Sequence, residues 1–133
     1  MALAGLMLCT GLALHAQSKK TIREKRISTQ TVQEYFIGEG FKDPVVESIE
    51  KYNEDGDVLE IKVFNKEGEV KQWEKYSYNE DGDLVEELFL DARGRVDRTE
   101  KTVYKDGLRV EKQFYDQKGK LYKRKVYEYE YRQ

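Results

Sequence analysis

The sequence predicts an all-β protein, an antiparallel meander of repeated β-hairpins with about seven to nine strands in a single or strongly twisted sheet. The first observation behind this is a row of six glycines spaced 12, 14, 12, 13 and 12 residues apart, which are Gly56, Gly68, Gly82, Gly94, Gly107 and Gly119. The second is the alternation of polar and apolar residues between them. A period of about 12 to 13 residues fits one strand and one turn, so it indicates stacked hairpins.

The turns have a local physical cause. Five of the six glycines belong to one phrase, with Asn or Asp three positions before Gly and Val or Leu two positions after it. The Asn or Asp side chain accepts hydrogen bonds from the backbone two residues on, and Gly supplies the positive φ that ends a type I turn with a bulge. The sixth turn, Tyr104-Lys105-Asp106-Gly107, is the same phrase with one residue missing.

Seven strands lie between these turns. They are predicted over residues 45–52, 58–64, 70–78, 84–90, 96–104, 108–115 and 121–131. Side chains alternate between faces along a strand. The face expected to pack carries Leu59, Ile61, Val63, Trp73, Val85, Phe89 and Val103. The charged pairs Glu60/Lys62 and Arg98/Glu100 are expected on the opposite face, where they set register more than they stabilise.

The two ends of a repeat stack need caps, because a terminal repeat has no neighbour on one side. Residues 17–44 lack the glycine phrase and are expected to form the first cap, with one or two further strands or, over residues 29–37, a short helix. Pro44, the only proline, is expected at a strand start or an edge. The last strand would be the second cap, with tyrosines on one face and glutamates on the other: Tyr127, Tyr129 and Tyr131 against Glu128 and Glu130.

The first sixteen residues differ from the rest of the chain. They carry no charged side chain, and a nearly continuous apolar run leads to Ala16 before a charge-rich sequence begins. This pattern is typical of a secretory signal peptide, so cleavage is predicted after Ala16 and the protein is expected to be secreted or periplasmic. A membrane anchor would need about 20 apolar residues, and a lipid-anchored Cys9 is disfavoured because a large residue precedes it. The predicted organisation is signal peptide 1–16, cap 17–44 and hairpin repeat 45–133.

Removal of this leader would have a chemical consequence. The only cysteine, Cys9, and the only histidine, His15, both lie within it. A mature chain without them excludes disulfides, thiolate nucleophiles, the usual Cys/His zinc sites and histidine acid–base catalysis. The sequence therefore favours a protein that is not an enzyme and has no cofactor.

Charge is plentiful but balanced, in a chain of a length that fits one domain. The 133 residues include 24 Lys or Arg and 26 Asp or Glu, and the mean hydropathy is −0.86. Disordered chains share such a hydropathy but are poor in aromatics, whereas this chain has ten Tyr, five Phe and one Trp. Because there is no basic stripe, no nucleic-acid partner is predicted. No membrane span is predicted in the mature chain either.

Two acidic patterns have competing interpretations. The loops that start at Asn53 and Asn79 resemble the start of a calcium loop, but the twelfth position, which needs a carboxylate, is Phe64 in one and Leu90 in the other. Turn formation explains the same residues, so no metal is predicted. A carboxylate-only hydrolase would need paired acids in a concave, water-poor pocket, which a thin sheet rarely provides.

The phrase Tyr115-Asp116-x-x-Gly119-x-Leu121 resembles the YD repeat of the RHS-type proteins, and residues 52–131 follow a relaxed version of it, often with Asn in place of Asp. The resemblance implies a β-meander or β-spiral of hairpins in an extracytoplasmic, often bacterial, protein. Large members of that family wrap such strands into shells around toxin domains. This chain is far too short to close a shell, so the resemblance implies only the sheet and the secreted context of a small bacterial protein.

Aromatic residues are the candidate binding residues. Five are expected to brace the turns: Tyr52, Phe64, Tyr78, Tyr104 and Tyr115. Six others are not required by the turn phrase: Trp73, Tyr76, Tyr122, Tyr127, Tyr129 and Tyr131. Exposed Tyr and Trp stack on sugar rings or anchor protein partners, so the first hypothesis is a binding module for a protein or a cell-surface glycan. The alternative is a structural module that forms homo-oligomers through its unpaired edge strands.

Overall fold

The computed structural model describes residues 17–38, 40 and 43–133; the predicted leader, residues 1–16, lies outside them. The predicted fold class is confirmed, since eight antiparallel strands form one open sheet in meander order. The elements are α1 (Lys19–Glu24), β1 (Thr29–Glu34), β2 (Val45–Tyr52), β3 (Val58–Phe64), β4 (Val70–Tyr78), β5 (Leu84–Leu90), β6 (Val96–Lys105), β7 (Leu108–Tyr115) and β8 (Leu121–Val126). No helix in these ranges is long and apolar enough to cross a membrane.

The glycine turns have the geometry that the phrase predicts. In each of the five full turns the Gly N–H donates to the carbonyl of the Asn or Asp three residues earlier at 3.0 Å. The glycines have φ between 79° and 85°. In the shorter turn both Asp106 and Gly107 have positive φ, 51° and 77°, as a two-residue type I′ hairpin requires. Six of the seven predicted strands begin and end within one residue of the observed bounds, but the last ends at Val126 and not at residue 131.

The expected division of the sheet into two faces was wrong. Glu74 pairs with Ile61 on one side and Phe89 on the other, whereas Trp73 pairs with Lys62 and so lies on the other face. Each long turn is accompanied by a bulge that adds one residue to the pairing. A bulge shifts the alternation of side chains by one residue. Counting every second residue from one glycine to the next therefore assigns some side chains to the wrong face.

We call the face that carries Glu74 the inner face, and the other the outer face. All buried residues of the strands lie on the inner face: Ser48, Glu50, Tyr52, Ile61, Glu74, Glu100 and Phe114. The charged pairs are split, because Arg98 and Glu100 lie on this face while Glu60 and Lys62 lie on the outer one. The core is thus a polar layer of carboxylates, tyrosines and a few apolar side chains.

The segment before β2, which was expected to form the first cap, contains α1 and β1. Ser18 caps α1 by accepting a hydrogen bond from the Thr21 N–H at 3.1 Å, and Ile22 is only 3% exposed. The Lys19 ammonium lies 2.7 Å from an Asp57 carboxylate oxygen in the first glycine turn. The strand interpretation of residues 29–34 is confirmed, and the helix lies earlier in the chain, at residues 19–24 rather than 29–37.

Candidate functional site

Trp73 and Tyr76, two of the predicted binding residues, lie on opposite faces of β4. Trp73 is half-buried on the outer face, where its Nε1 donates to Glu60 Oε1 at 2.8 Å and the Lys62 ammonium lies 3.8 Å from its ring centroid. Tyr76 is half-buried on the inner face, where its hydroxyl donates to Glu74. Both rings are engaged by their own chain, so they do not form a common exposed surface.

The other four predicted aromatics follow one another along the last edge of the sheet, in β8 and in the segment after it. Tyr122 is 54% exposed and Tyr131 is 76% exposed. Tyr127 is half-buried beneath Arg109, whose guanidinium carbon lies 5.2 Å from the ring centroid. Since β8 is four strand spacings from β4, these residues are about 19 Å from the strand that carries the first two. The six candidates therefore form at least two separate groups.

A repeated tyrosine contact was not anticipated from the sequence. Three hydroxyls donate to the carbonyl 20 residues earlier: Tyr78 to Val58 at 2.7 Å, Tyr104 to Leu84 at 2.9 Å and Tyr129 to Arg109 at 2.5 Å. Tyr78 and Tyr104 lie at the ends of β4 and β6 and Tyr129 lies just beyond β8, and each bonds to the start of the preceding strand, at the open end of a hairpin. Tyr129 thus has the same contact as Tyr78 and Tyr104. The sequence pattern that could have revealed this contact is the spacing of about 26 residues between the three tyrosines, which is twice the glycine period.

Carboxylates buried on the inner face are the second feature that the sequence did not reveal. Glu50 is 1% exposed and accepts a hydrogen bond from the Tyr52 hydroxyl at 2.6 Å. Glu74 accepts bonds from Tyr76 and from Gln72 Nε2, the latter at 2.9 Å. Charged oxygens removed from water need such partners. Because the face assignment depends on the bulges, these glutamates were indistinguishable from solvated ones.

A lysine bridges two of the inner-face glutamates. Glu87 and Glu100 lie directly opposite each other on β5 and β6, an arrangement that is destabilising on its own. The Lys112 ammonium lies 3.3 Å from Glu87 Oε2 and 3.0 Å from Glu100 Oε1. Burial alone would lower the pKa of Lys112, but its hydrogen bond with Glu100 and the charges of both glutamates raise it above its ordinary value.

Three buried or half-buried tyrosines are expected to make the fold sensitive to alkali. Burial, and then bonding to Glu50 and Glu74, raises the pKa values of Tyr52 and Tyr76, and burial with the nearby Asp57 charge raises the pKa of Tyr78 to about 12. The unfolded chain loses these protons near pH 10, while the folded chain retains them. Stability is therefore fully present below pH 10 and is lost as pH rises towards about 12.

Tyrosinate absorbance and circular dichroism, followed together during an alkaline titration, measure this effect. We expect Tyr52, Tyr76 and Tyr78 to titrate only as the β signal disappears, above the ordinary tyrosine range. Titration of all tyrosines near pH 10 in a sheet that stays folded would contradict the prediction.

The edge formed by β8 is the most exposed part of the sheet. All six of its residues are exposed, on both faces, and β8 pairs only with β7. Beyond β8 the chain continues along β7, because the Tyr127 N–H donates to the Val110 carbonyl at 3.1 Å. We call residues 121–132 the terminal edge. Its strand carries three cations and no acid: Lys123, Arg124 and Lys125.

Four grooves of the described residues have volumes of about 280 to 430 Å³ and are lined by turn, strand and N-terminal residues. None of these four is lined by Glu50, Glu74 or Glu100. Within residues 17–38, 40 and 43–133, no group of three or more acidic, His or Cys side chains is arranged to hold a metal ion. In the two calcium-like loops, Asn53 and Asn79 use their side-chain oxygens to accept backbone N–H bonds within the turn.

Comparison with known proteins adds no assignment. No protein-family model matches the chain, and no curated protein is detectably similar to it. The candidate site therefore stands on geometry alone.

Proposed function

We propose that this chain is a non-enzymatic, extracytoplasmic binding module of the YD-repeat kind, which takes up an extended segment of a partner protein along its terminal edge. The observation that carries the proposal is β8, which is exposed at every position and pairs on one side only. The outward backbone N–H and C=O groups of such a strand give main-chain hydrogen bonds to an added strand. The apolar leader ending at Ala16 supports the secreted context.

Charge and aromatic placement favour a protein segment with acidic residues. The three cations of β8 would pair with carboxylates on an added strand. A glycan site would need aromatic rings gathered in one open platform, whereas Trp73 and Tyr76 are on opposite faces and engaged by Glu60 and Glu74. The buried glutamates support a non-enzymatic role, because their oxygens are committed to hydrogen bonds within the sheet.

Titration of the isotopically labelled protein with short capped peptides tests the proposal. We expect an alternating Val-Glu hexapeptide to shift amide resonances of β8 and its neighbour β7, and an alternating Val-Lys hexapeptide to bind at least about tenfold more weakly, because it faces the β8 cations. A panel of soluble oligosaccharides is the control. Shifts caused by the oligosaccharides and by neither peptide would overturn the proposal.

A further inference from the structure

The terminal edge is complementary to itself. Its strand carries three cations, and the residues directly after it alternate tyrosine with glutamate, at Glu128 and Glu130. We propose that two copies of this chain pair antiparallel along residues 121–132, with Val126 at the two-fold axis, and so join their sheets into one. This inference rests on the proposed function, since it assigns the partner segment to a second copy.

The geometry of a strand pair limits the possible registers. In an antiparallel pair, the side chains of residues directly opposite each other lie on the same face. Two identical strands can therefore pair only about a two-fold axis that lies at a residue position, not midway between two residues. The bond from the Tyr127 N–H to Val110 shows that odd-numbered residues direct their backbone groups towards β7. Even-numbered residues, such as Arg124, Val126 and Glu128, therefore direct theirs outwards, where a second copy would bond to them.

Charge then selects the register. An axis at Arg124, Lys125 or Glu128 would place two like charges directly opposite each other, which is destabilising. An axis at Val126 sets each Arg124 opposite the partner copy's Glu128, and Val126 opposite Val126. An axis at Tyr127 would instead set Val126 opposite a glutamate. Of these registers, only the one with its axis at Val126 places opposite charges against each other and also sets an apolar side chain against another apolar side chain. Val126 is 64% exposed in the single chain.

The remaining opposite residues in this register are also compatible. Lys123 and Lys125 come opposite tyrosines of the second copy, where an ammonium and an aromatic ring attract each other. Lys123 already lies 4.1 Å from the Phe114 ring centroid in its own chain, so it is placed over the inner face. One strand from each copy makes a small interface, and we expect the association to depend on protein concentration.

The outer edge of β1 offers a weaker match. β1 is neutral apart from Glu34, so a contact between β1 of one copy and β8 of the next would bring one acid against three cations. Such a contact is also head-to-tail, and repetition of it gives an open polymer instead of a closed dimer.

Sedimentation velocity over a range of concentrations, with two charge-reversal variants, tests the proposal. We expect the wild type to dimerise, and Arg124→Glu and Glu128→Arg each to weaken dimerisation at least about tenfold, because each places like charges opposite. An equal mixture of the two variants restores opposite charges at both positions, so it should dimerise again. Circular dichroism checks the fold of Arg124→Glu, since Arg124 also bonds to Glu111.

A matched pair of lysine substitutions adds a control. Val126→Lys places two ammonium groups at the axis and should leave the protein monomeric. Val103 is also an exposed valine, and like Val126 it lies opposite Glu111. The Val103→Lys variant therefore introduces the same charge away from the proposed interface, and this variant should dimerise like the wild type. A monomeric or open-polymer wild type, or a mixture of the reversal variants that stays monomeric, would overturn the inference. A monomer that still binds the Val-Glu hexapeptide at β8 would overturn the inference but leave the proposed function standing.

Discussion

Gly56→Ala is expected to release the N-terminal helix from the sheet. A Cβ built on Gly56 would lie 2.5 Å from the Lys19 carbonyl oxygen and 3.3 Å from the Arg23 backbone nitrogen, so α1 has to move. Its movement would expose Ile22, whose burial is worth about 1.5 to 3 kcal/mol. The positive φ of 85° adds about 1 to 2 kcal/mol of strain for a residue with a side chain.

The chain contains a matched control for this variant. Gly82 occupies a turn of the same sequence, Asn-Glu-Asp-Gly-Asp, with a φ of 83° and no atom within 4 Å of an added Cβ. Gly82→Ala should therefore show the strain alone. Urea unfolding measures both losses, and tryptic cleavage after Arg23 reports the release of α1. Equal stability losses and equal cleavage rates in the two variants would show that α1 does not pack on the turn.

Lys112→Met is expected to cost about 3 kcal/mol of folding free energy at neutral pH, because it leaves two partly buried glutamates facing each other without their cation. Glu100 would keep a contact with Arg98, whose Nε lies 3.2 Å from it, but Glu87 would lose its ammonium at 3.3 Å. Above pH 10.5, the ordinary lysine value, the wild type should lose this advantage as pH rises through the raised pKa of Lys112.

A lysine on the outer face of the same strand pair provides the comparison. Lys101 lies 3.7 Å from Glu86, and both side chains are much more exposed, at 47% and 33%. Lys101→Met should cost no more than about 1 kcal/mol, as for other exposed pairs. Denaturation of both variants at neutral pH and above pH 10.5 gives the two losses and their dependence on pH. A similar loss for Lys101→Met, or a Lys112→Met loss that does not change with pH, would argue against the bridging role.

The candidate site was only partly accessible from the sequence. Tyr122, Tyr127, Tyr129 and Tyr131 were singled out because the turn phrase does not require them, and the structure places them along the last edge of the sheet. The predicted meander already separates the strand of Trp73 from the last strand, but the face on which Trp73 lies depends on bulges, which the phrase does not encode. The exposure of β8 on both faces depends on tertiary packing, which a local pattern does not encode.

Local chemistry determined the strands and turns. An Asn or Asp with a Gly three positions later reverses the chain without contacts from distant residues. That is why six of the seven predicted strands match the observed bounds. The face on which a side chain lies depends instead on bulges between neighbouring strands, and a single added residue reverses it. Only the tertiary structure therefore showed that Glu50, Glu74 and Glu100 are buried and that Lys112 bridges two carboxylates, since those properties arise from strand pairing across the sheet.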